Sequence, residues 1–166
     1  AYQFGGWLRK MVCNVRPYEI TKGQTDEVAE RWKERLIPVF EGKQNRLAVL
    51  KEMVADFDAI PVKREPRPKV AIFGDLYVRD NRVMNQDLIR FIEYHGGEVI
   101  TTPYSEYAKM IAGAYFRKWF NEGYYFSLLS SKAILAAMVR LEKRYGAIFD
   151  RVLGQSLHTY DDLPKD

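Results

Sequence analysis

Apolar residues recur along this chain at more than one spacing, and the change of spacing divides it. From Thr25 onward Val28, Trp32, Leu36 and Phe40 return every four residues, which makes one face of an α-helix. Thr25 suits the N-cap, with Asp26 and Glu27 in the first turn, where the helix dipole favours negative charge. Pro38 lacks an amide hydrogen and its ring clashes with the preceding turn, so this helix is predicted to end or kink near Ile37. A second helix is predicted from about Gln44 to Phe57, with Leu47, Leu50, Val54 and Phe57 on one stripe. The two are expected to pack as a hairpin. Residues 1–23 show no clean period and read as a short helix followed by a loop.

The stretch 61–68 sets Lys63, Arg64 and Arg67 among three prolines and reads as a semi-rigid connector. Beyond it the pattern changes. Val70-Ala71-Ile72-Phe73 is a short continuous apolar run, the mark of a strand buried on both faces. Asn85 suits the cap of a following helix whose inner stripe is Leu88, Phe91, Ile92 and His95, closed by Gly96-Gly97. Val99-Ile100-Thr101-Thr102 is the next strand, ended by Pro103. Strand, helix and strand make a βαβ unit with parallel strands. A helix capped by Ser105 is predicted to reach Asn121, and another from Ser130 or Ser131 to stop after Tyr145 at Gly146. Phe149 and Val152-Leu153 are read as a short strand.

The predicted class is therefore α/β: a helix-rich, Rossmann-like or flavodoxin-like three-layer unit with a short parallel sheet, preceded by an N-terminal helical hairpin. Its organisation is read as a helical segment 1–60, a connector 61–68 and an α/β lobe 69–166. With 47% hydrophobic residues the chain can build one core. The start without Met and the polar, acidic end predict a piece of a larger protein. No apolar run of about 18 residues and no signal peptide appear, so no membrane partner is expected and the location is read as cytoplasmic. The net charge of +4 comes from 26 basic and 22 acidic residues of mixed sign, which argues against a nucleic-acid partner.

Candidate chemistry concentrates after the first strand, where parallel α/β sheets bind ligands. The loop from Gly74 to Asn85 is far longer than the two to six residues or so such connections need. Arg79 and Arg82 can fork onto phosphate or carboxylate, Asn81 and Asn85 can donate and accept, and Tyr77 offers a ring. Glycine-rich dinucleotide and nucleoside triphosphate motifs are missing, so no nucleotide site is expected from motifs. Cys13, the single cysteine, cannot form an internal disulfide or hold a metal alone; it reads as packing, and no metal ligands are assigned. His95 reads as a helix-end residue. The aromatic run from Tyr104 to Phe126 reads as core or as an interface with the rest of a larger protein.

Several of these stretches together carry a family resemblance. Arg16-Pro17-Tyr18-Glu19 with Gly23 and Thr25-Asp26, then Arg67-Pro68-Lys69-Val70-Ala71-Ile72-Phe73-Gly74-Asp75-Leu76-Tyr77-Val78-Arg79-Asp80-Asn81 with Asn85, then Phe91-Ile92-Glu93-Tyr94-His95-Gly96-Gly97-Glu98-Val99 form the pattern. It resembles the activase-related proteins allied to 2-hydroxyacyl-CoA dehydratases and their ATP-dependent activators, over roughly residues 14–160. The resemblance implies a bacterial or archaeal cytoplasmic parent whose system uses ATP and an iron–sulfur cluster and acts on an acyl-CoA. The cluster's cysteines are not in this chain, so no cofactor is expected here. The implied role is one lobe of a dehydratase-like or activator-related protein, lining a cleft, with the remaining domains as partners. The rival is a docking module without chemistry. The resemblance carries Gly74, Asp75, Tyr77, Arg79, Asn81 and Asn85 as a binding loop, with Arg16, Tyr18 and Glu19 as a secondary set; the family commonly has Glu at the position of Asp75.

Overall fold

The N-terminal helix exceeds what its sequence pattern suggested. In the computed structural model, which describes residues 2–101 and 104–153, α1 runs Tyr2–Val15. Phe4, Trp7, Leu8, Met11 and Val15 are buried, at the three- and four-residue spacing of a helix face. The paired Gly5 and Gly6 mask that stripe to a reader of local propensity, because glycine weakens a helix by only about 1 kcal/mol per residue while the buried rings repay more. A 3-10 turn, Arg16–Tyr18, follows with Pro17 near its start.

The next helix, α2 (Gln24–Arg35), is not capped by Thr25 as expected. Its N-cap is Gly23, at φ 92°, and Thr25 lies inside the first turn, fully buried. The carboxylate of Glu19 takes over the cap, accepting the amides of Gly23 and Thr25 at 2.8 Å each. An acid from the preceding turn thus does what the Thr25 hydroxyl was predicted to do. Pro38 breaks the chain as foreseen, and a short α3 (Ile37–Phe40) follows α2. Then α4 (Arg46–Asp58) begins two residues later than Gln44, with Asn45 accepting the amides of Leu47 and Ala48. Trp32 Nε1 donates to Asp56 at 2.9 Å, tying α2 to α4.

The connector 61–68 is pinned to the 3-10 turn. Ile20 donates to the carbonyl of Pro61 and Lys63 to that of Tyr18, around a bridge between Glu19 and Val62. Beyond it β1 (Lys69–Ala71) pairs in parallel with β2 (Glu98–Ile100), in the register Val70 to Val99. The class is α/β. β1 is shorter than predicted and not buried on both faces: Lys69 and Phe73 are exposed. Between the strands lie α5 (Leu76–Asp80) and α6 (Leu88–Tyr94). The inner face of α6 is Leu88, Ile89 and Ile92, packed on Cys13, Ile72 and Val99. Phe91 and His95, expected inside, face outward, because Leu88, Ile89 and Ile92 take the inner face and those two lie round the helix from its centre; α6 begins at Leu88 and is seven residues long. Gly96, at φ 86°, ends it: its amide reaches the carbonyl of Glu93, and that of Gly97 reaches Ile92.

Two long helices complete the chain, α7 (Tyr104–Asn121) and α8 (Tyr125–Leu153), turning at Gly123 with φ 77°. Ser105, expected to cap α7, lies inside it, and the second strand ends at Ile100, before Thr101; Thr102 and Pro103 lie outside the described residues. α8 starts five residues before Ser130 and does not stop at Gly146; the strand expected at Phe149 and Val152-Leu153 is helix. Phe149 is fully buried and stacks on Trp7 with ring centroids 4.6 Å apart. Burying such a ring yields about 1.5–3 kcal/mol, which outweighs a mid-helix glycine. The end of α8 therefore packs with residues 4–60 in one core of Trp7, Met11, Trp32, Leu50, Met53 and Phe57. Among the described residues no helix is long and apolar enough to cross a membrane.

Candidate anion-binding cleft

The segment after β1 is built from caps. Gly74 adopts φ 126°, a conformation closed to residues with a side chain. Asp75 accepts the amides of Tyr77 and Val78 at 2.9 and 3.2 Å and so starts α5. Asn81 does the same for Val83 and Met84. Asn85 donates to the carbonyl of Arg79 at 2.6 Å and accepts from the amide of Leu88, bracing both ends of the turn. Gln86 and Asp87 take positive φ, 53° and 55°, a strain of about 1–3 kcal/mol each. Asp87 is held there by Arg82, whose guanidinium donates to its carboxylate at 2.7 Å. The consequence of this bracing is the position of Arg79, which is buried with only 6% of its surface exposed.

Arg79 lines a cavity of about 400 Å³ enclosed by α1, α2 and the α5–α6 segment. Six cations line it, Arg9, Arg16, Lys33, Arg79, Arg82 and Arg90, against the three carboxylates Asp26, Glu30 and Asp87. Leu8, Val12, Ala29 and Ile89 supply apolar wall. Arg16, Lys33, Arg82 and Arg90 are held in place by ion pairs. Arg16 forks onto Glu93 at 2.7 and 2.9 Å and donates to Asp26 at 3.0 Å, while Arg90 binds the other oxygen of Asp26. This chain of four charges joins the 3-10 turn after α1 to α2 and α6. Burial works against the Arg16 charge, but the bonds from Glu93 and Asp26 prevail and hold its pKa above the ordinary value. Burial pushes the Glu93 carboxyl up, against the pull of Arg16. Burial also pushes Asp26 up, and the bonds from Arg90 and Arg16 more than offset it, leaving that carboxyl below its ordinary value. The sum is a fixed, cation-rich concavity, which favours anions.

No protein-family model, curated protein or solved structure matches this chain.

Of the loop residues singled out from sequence, Arg79, Arg82 and Asn85 line the cleft, and Arg16 of the secondary set joins them. Asp75 and Asn81 are spent on backbone amides, Gly74 shapes the turn, and Tyr77 is 68% exposed away from the cavity. Glu19 caps α2. Tyr18 is buried, donating to Glu98 at 2.6 Å, with the guanidiniums of Arg64 and Arg67 over its ring at 4.6 and 5.3 Å. Burial first, and that hydrogen bond second, raise its phenol to about 12. Sequence reasoning missed Arg9, Lys33 and Arg90, which come from three different helices. Only their shared helical faces, each pointing toward the strand-end loop, could have signalled the meeting.

The donor set does not suit an iron–sulfur cluster, which takes thiolates. Cys13 is buried, and burial, reinforced by Glu93, pushes its thiol up to about 12. Among the described residues no group of three or more His, Cys, Asp or Glu side chains is placed to hold a metal ion.

Proposed function

We propose that this domain is one lobe of a 2-hydroxyacyl-CoA dehydratase-like or activator-related cytoplasmic protein, and that its cleft holds the phosphate-bearing part of a CoA thioester. The observation that carries this reading is the excess of cations around the 400 Å³ cavity, with Arg79 buried at its wall. Guanidinium forks pair with phosphate oxygens in two parallel bonds, and a low-dielectric wall strengthens each. The apolar wall of Leu8, Val12 and Ile89 suits the uncharged remainder of such a ligand. On this reading β1 and β2 begin a Rossmann-like or flavodoxin-like three-layer sheet whose other strands belong to the remaining domains, with α2 and α4 as a hairpin against it. The cluster and the ATP-dependent step belong to those other parts.

Calorimetric titration of the chain with CoA tests the site. Saturable binding that weakens at least tenfold in Arg79→Met supports it; binding indifferent to Arg79, or none by a folded chain, removes it.

A second reading rests on a separate observation. Phe120, Tyr124, Tyr125, Phe126 and Leu129 at the α7–α8 turn are all more than half exposed, an apolar surface of the kind that docks another domain. In that case the module works by assembly, and deleting these side chains disrupts association with the remaining domains while leaving CoA binding intact.

A further inference from the structure

The outward face of α8 is open along most of the helix. Phe126, Ser130, Ala133, Ala137, Arg140 and Arg144 follow one another at alternating steps of four and three residues, which keeps them on one line along it. All but the half-buried Ser130 are exposed, and the apolar residues beside the line, Leu129, Ile134 and Leu141, are 72%, 62% and 44% exposed. The opposite face, with Leu128, Leu135, Met138 and Glu142, is half-buried, and Lys109 of α7 is paired to Glu142 there. Neither Arg140 nor Arg144 has an ion-pair partner among the described residues, whereas Arg16, Lys33, Arg82 and Arg90 are all paired.

We infer that α8 pairs antiparallel with α8 of a second copy of this chain along the line from Phe126 to Arg144, making a symmetric dimer; this rests on the reading of the exposed hairpin as an assembly surface and names its partner. The line is complementary to its own reverse. With Ala133 opposite Ala137 of the second copy, Phe126 meets Arg144, a ring under a guanidinium. Ser130 then meets Arg140, a hydroxyl oxygen accepting an N–H, and Leu129 meets Leu141. The two-fold axis makes every pair occur twice, and the alanines at its centre let the helices approach closely. A parallel copy would set Arg140 on Arg140 and Arg144 on Arg144, so charge selects the antiparallel arrangement, which also opposes the helix dipoles. Along about 27 Å of helix, Phe126, Leu129, Ile134, Leu141 and the arginine stems cover several hundred Å² per copy. That is the scale of a small specific interface, which buries roughly 600 Å² or more on each side.

Sedimentation equilibrium of the intact chain tests the pairing, with circular dichroism confirming the fold of each variant. The expected result is a monomer–dimer equilibrium with a dissociation constant on the order of 10 µM, so that in dilute solution the face is uncovered. Phe126→Ala and Ala137→Glu, each felt twice across the axis, should weaken the dimer by roughly tenfold or more, and Arg144→Ala by about fivefold. The register is read by oxidising a mixture of Ala133→Cys and Ala137→Cys chains: the mixed disulfide should exceed either self-linked product, because only opposed positions bring their Cα atoms within about 7 Å. A chain that stays monomeric at several hundred micromolar overturns the inference and leaves the hairpin to another domain, whose association is measured separately. A dimer indifferent to Ala137→Glu, or one in which Ala133→Cys links mainly to itself, overturns the antiparallel line.

Discussion

The core around Trp32 and the turn between α7 and α8 are made of the same kinds of residue and end in opposite environments. Trp32 and Phe57 are 0% and 1% exposed, whereas Phe126 and Leu129 are 86% and 72% exposed. α8 takes part in both: its last turns, with Tyr145, Ile148 and Phe149, enter the core, and its first turns do not. The difference is one of neighbours. Around Trp32 the helices α1, α2, α4 and the end of α8 close on all sides, while near the turn α7 and α8 have chiefly each other. Aromatic content measures the capacity to be buried; the layers available decide whether it is used.

Substitutions should separate the two regions sharply. Phe149→Ala removes a fully buried ring and is expected to cost about 3–5 kcal/mol, read as a fall in the urea midpoint. Phe126→Ala should lie within about 0.5 kcal/mol of the parent; a comparable loss at both positions would erase the distinction between core and free surface.

The junction holding the cleft comes next in size. Arg16→Ala removes both guanidinium hydrogen bonds to Glu93, in a pair that is largely buried at 12% and 7% exposure, and should cost about 3 kcal/mol. Glu19→Ala removes the cap of α2, at about 1–2 kcal/mol. An effect at Glu19 larger than at Arg16 would mean that the cap, and not the ion chain, fixes α2 against α6.

Much of this was legible in the chain, and the limits are instructive. The four-residue rhythm of Val28, Trp32 and Leu36 marks α2, and Pro38 marks its break, because both act through local geometry. The βαβ order followed from short apolar runs bounded by Pro68 and Gly74. What local rules could not show was set by contacts far apart in sequence. Phe149 is drawn into the core by Trp7, and Gly146 is overridden in consequence. The cleft divides in the same way. Arg79 could be chosen because it follows a strand, but Arg9, Lys33 and Arg90 gain meaning only once α1, α2 and α6 converge. Asp75 and Asn81 look like ligand groups in sequence and are caps in space, since polar side chains in a long turn first satisfy nearby amides.

Smaller effects sharpen the picture of the junction. The Asp26 carboxyl is held below its ordinary value by Arg90 and Arg16, so the unfolded chain binds the proton first as pH falls. The stability it contributes is present above the unfolded pKa of about 4 and is lost as pH drops through the folded value. Urea midpoints should therefore fall less steeply below about pH 4 in Asp26→Asn than in the parent; parallel curves would mean that Asp26 is not held. Cys13, its thiol raised to about 12 by burial first, should react with a disulfide reagent at neutral pH only on the time scale of unfolding, and immediate reaction would contradict its burial.

One measurement weighs the cleft against the exposed hairpin directly: amide chemical-shift mapping of the intact chain during titration with CoA. The account expects the largest shifts on residues 5–16, 26–33 and 79–94, with α7 and α8 between residues 115 and 134 unmoved. Shifts confined to the α7–α8 turn, or none at saturating CoA, would contradict it.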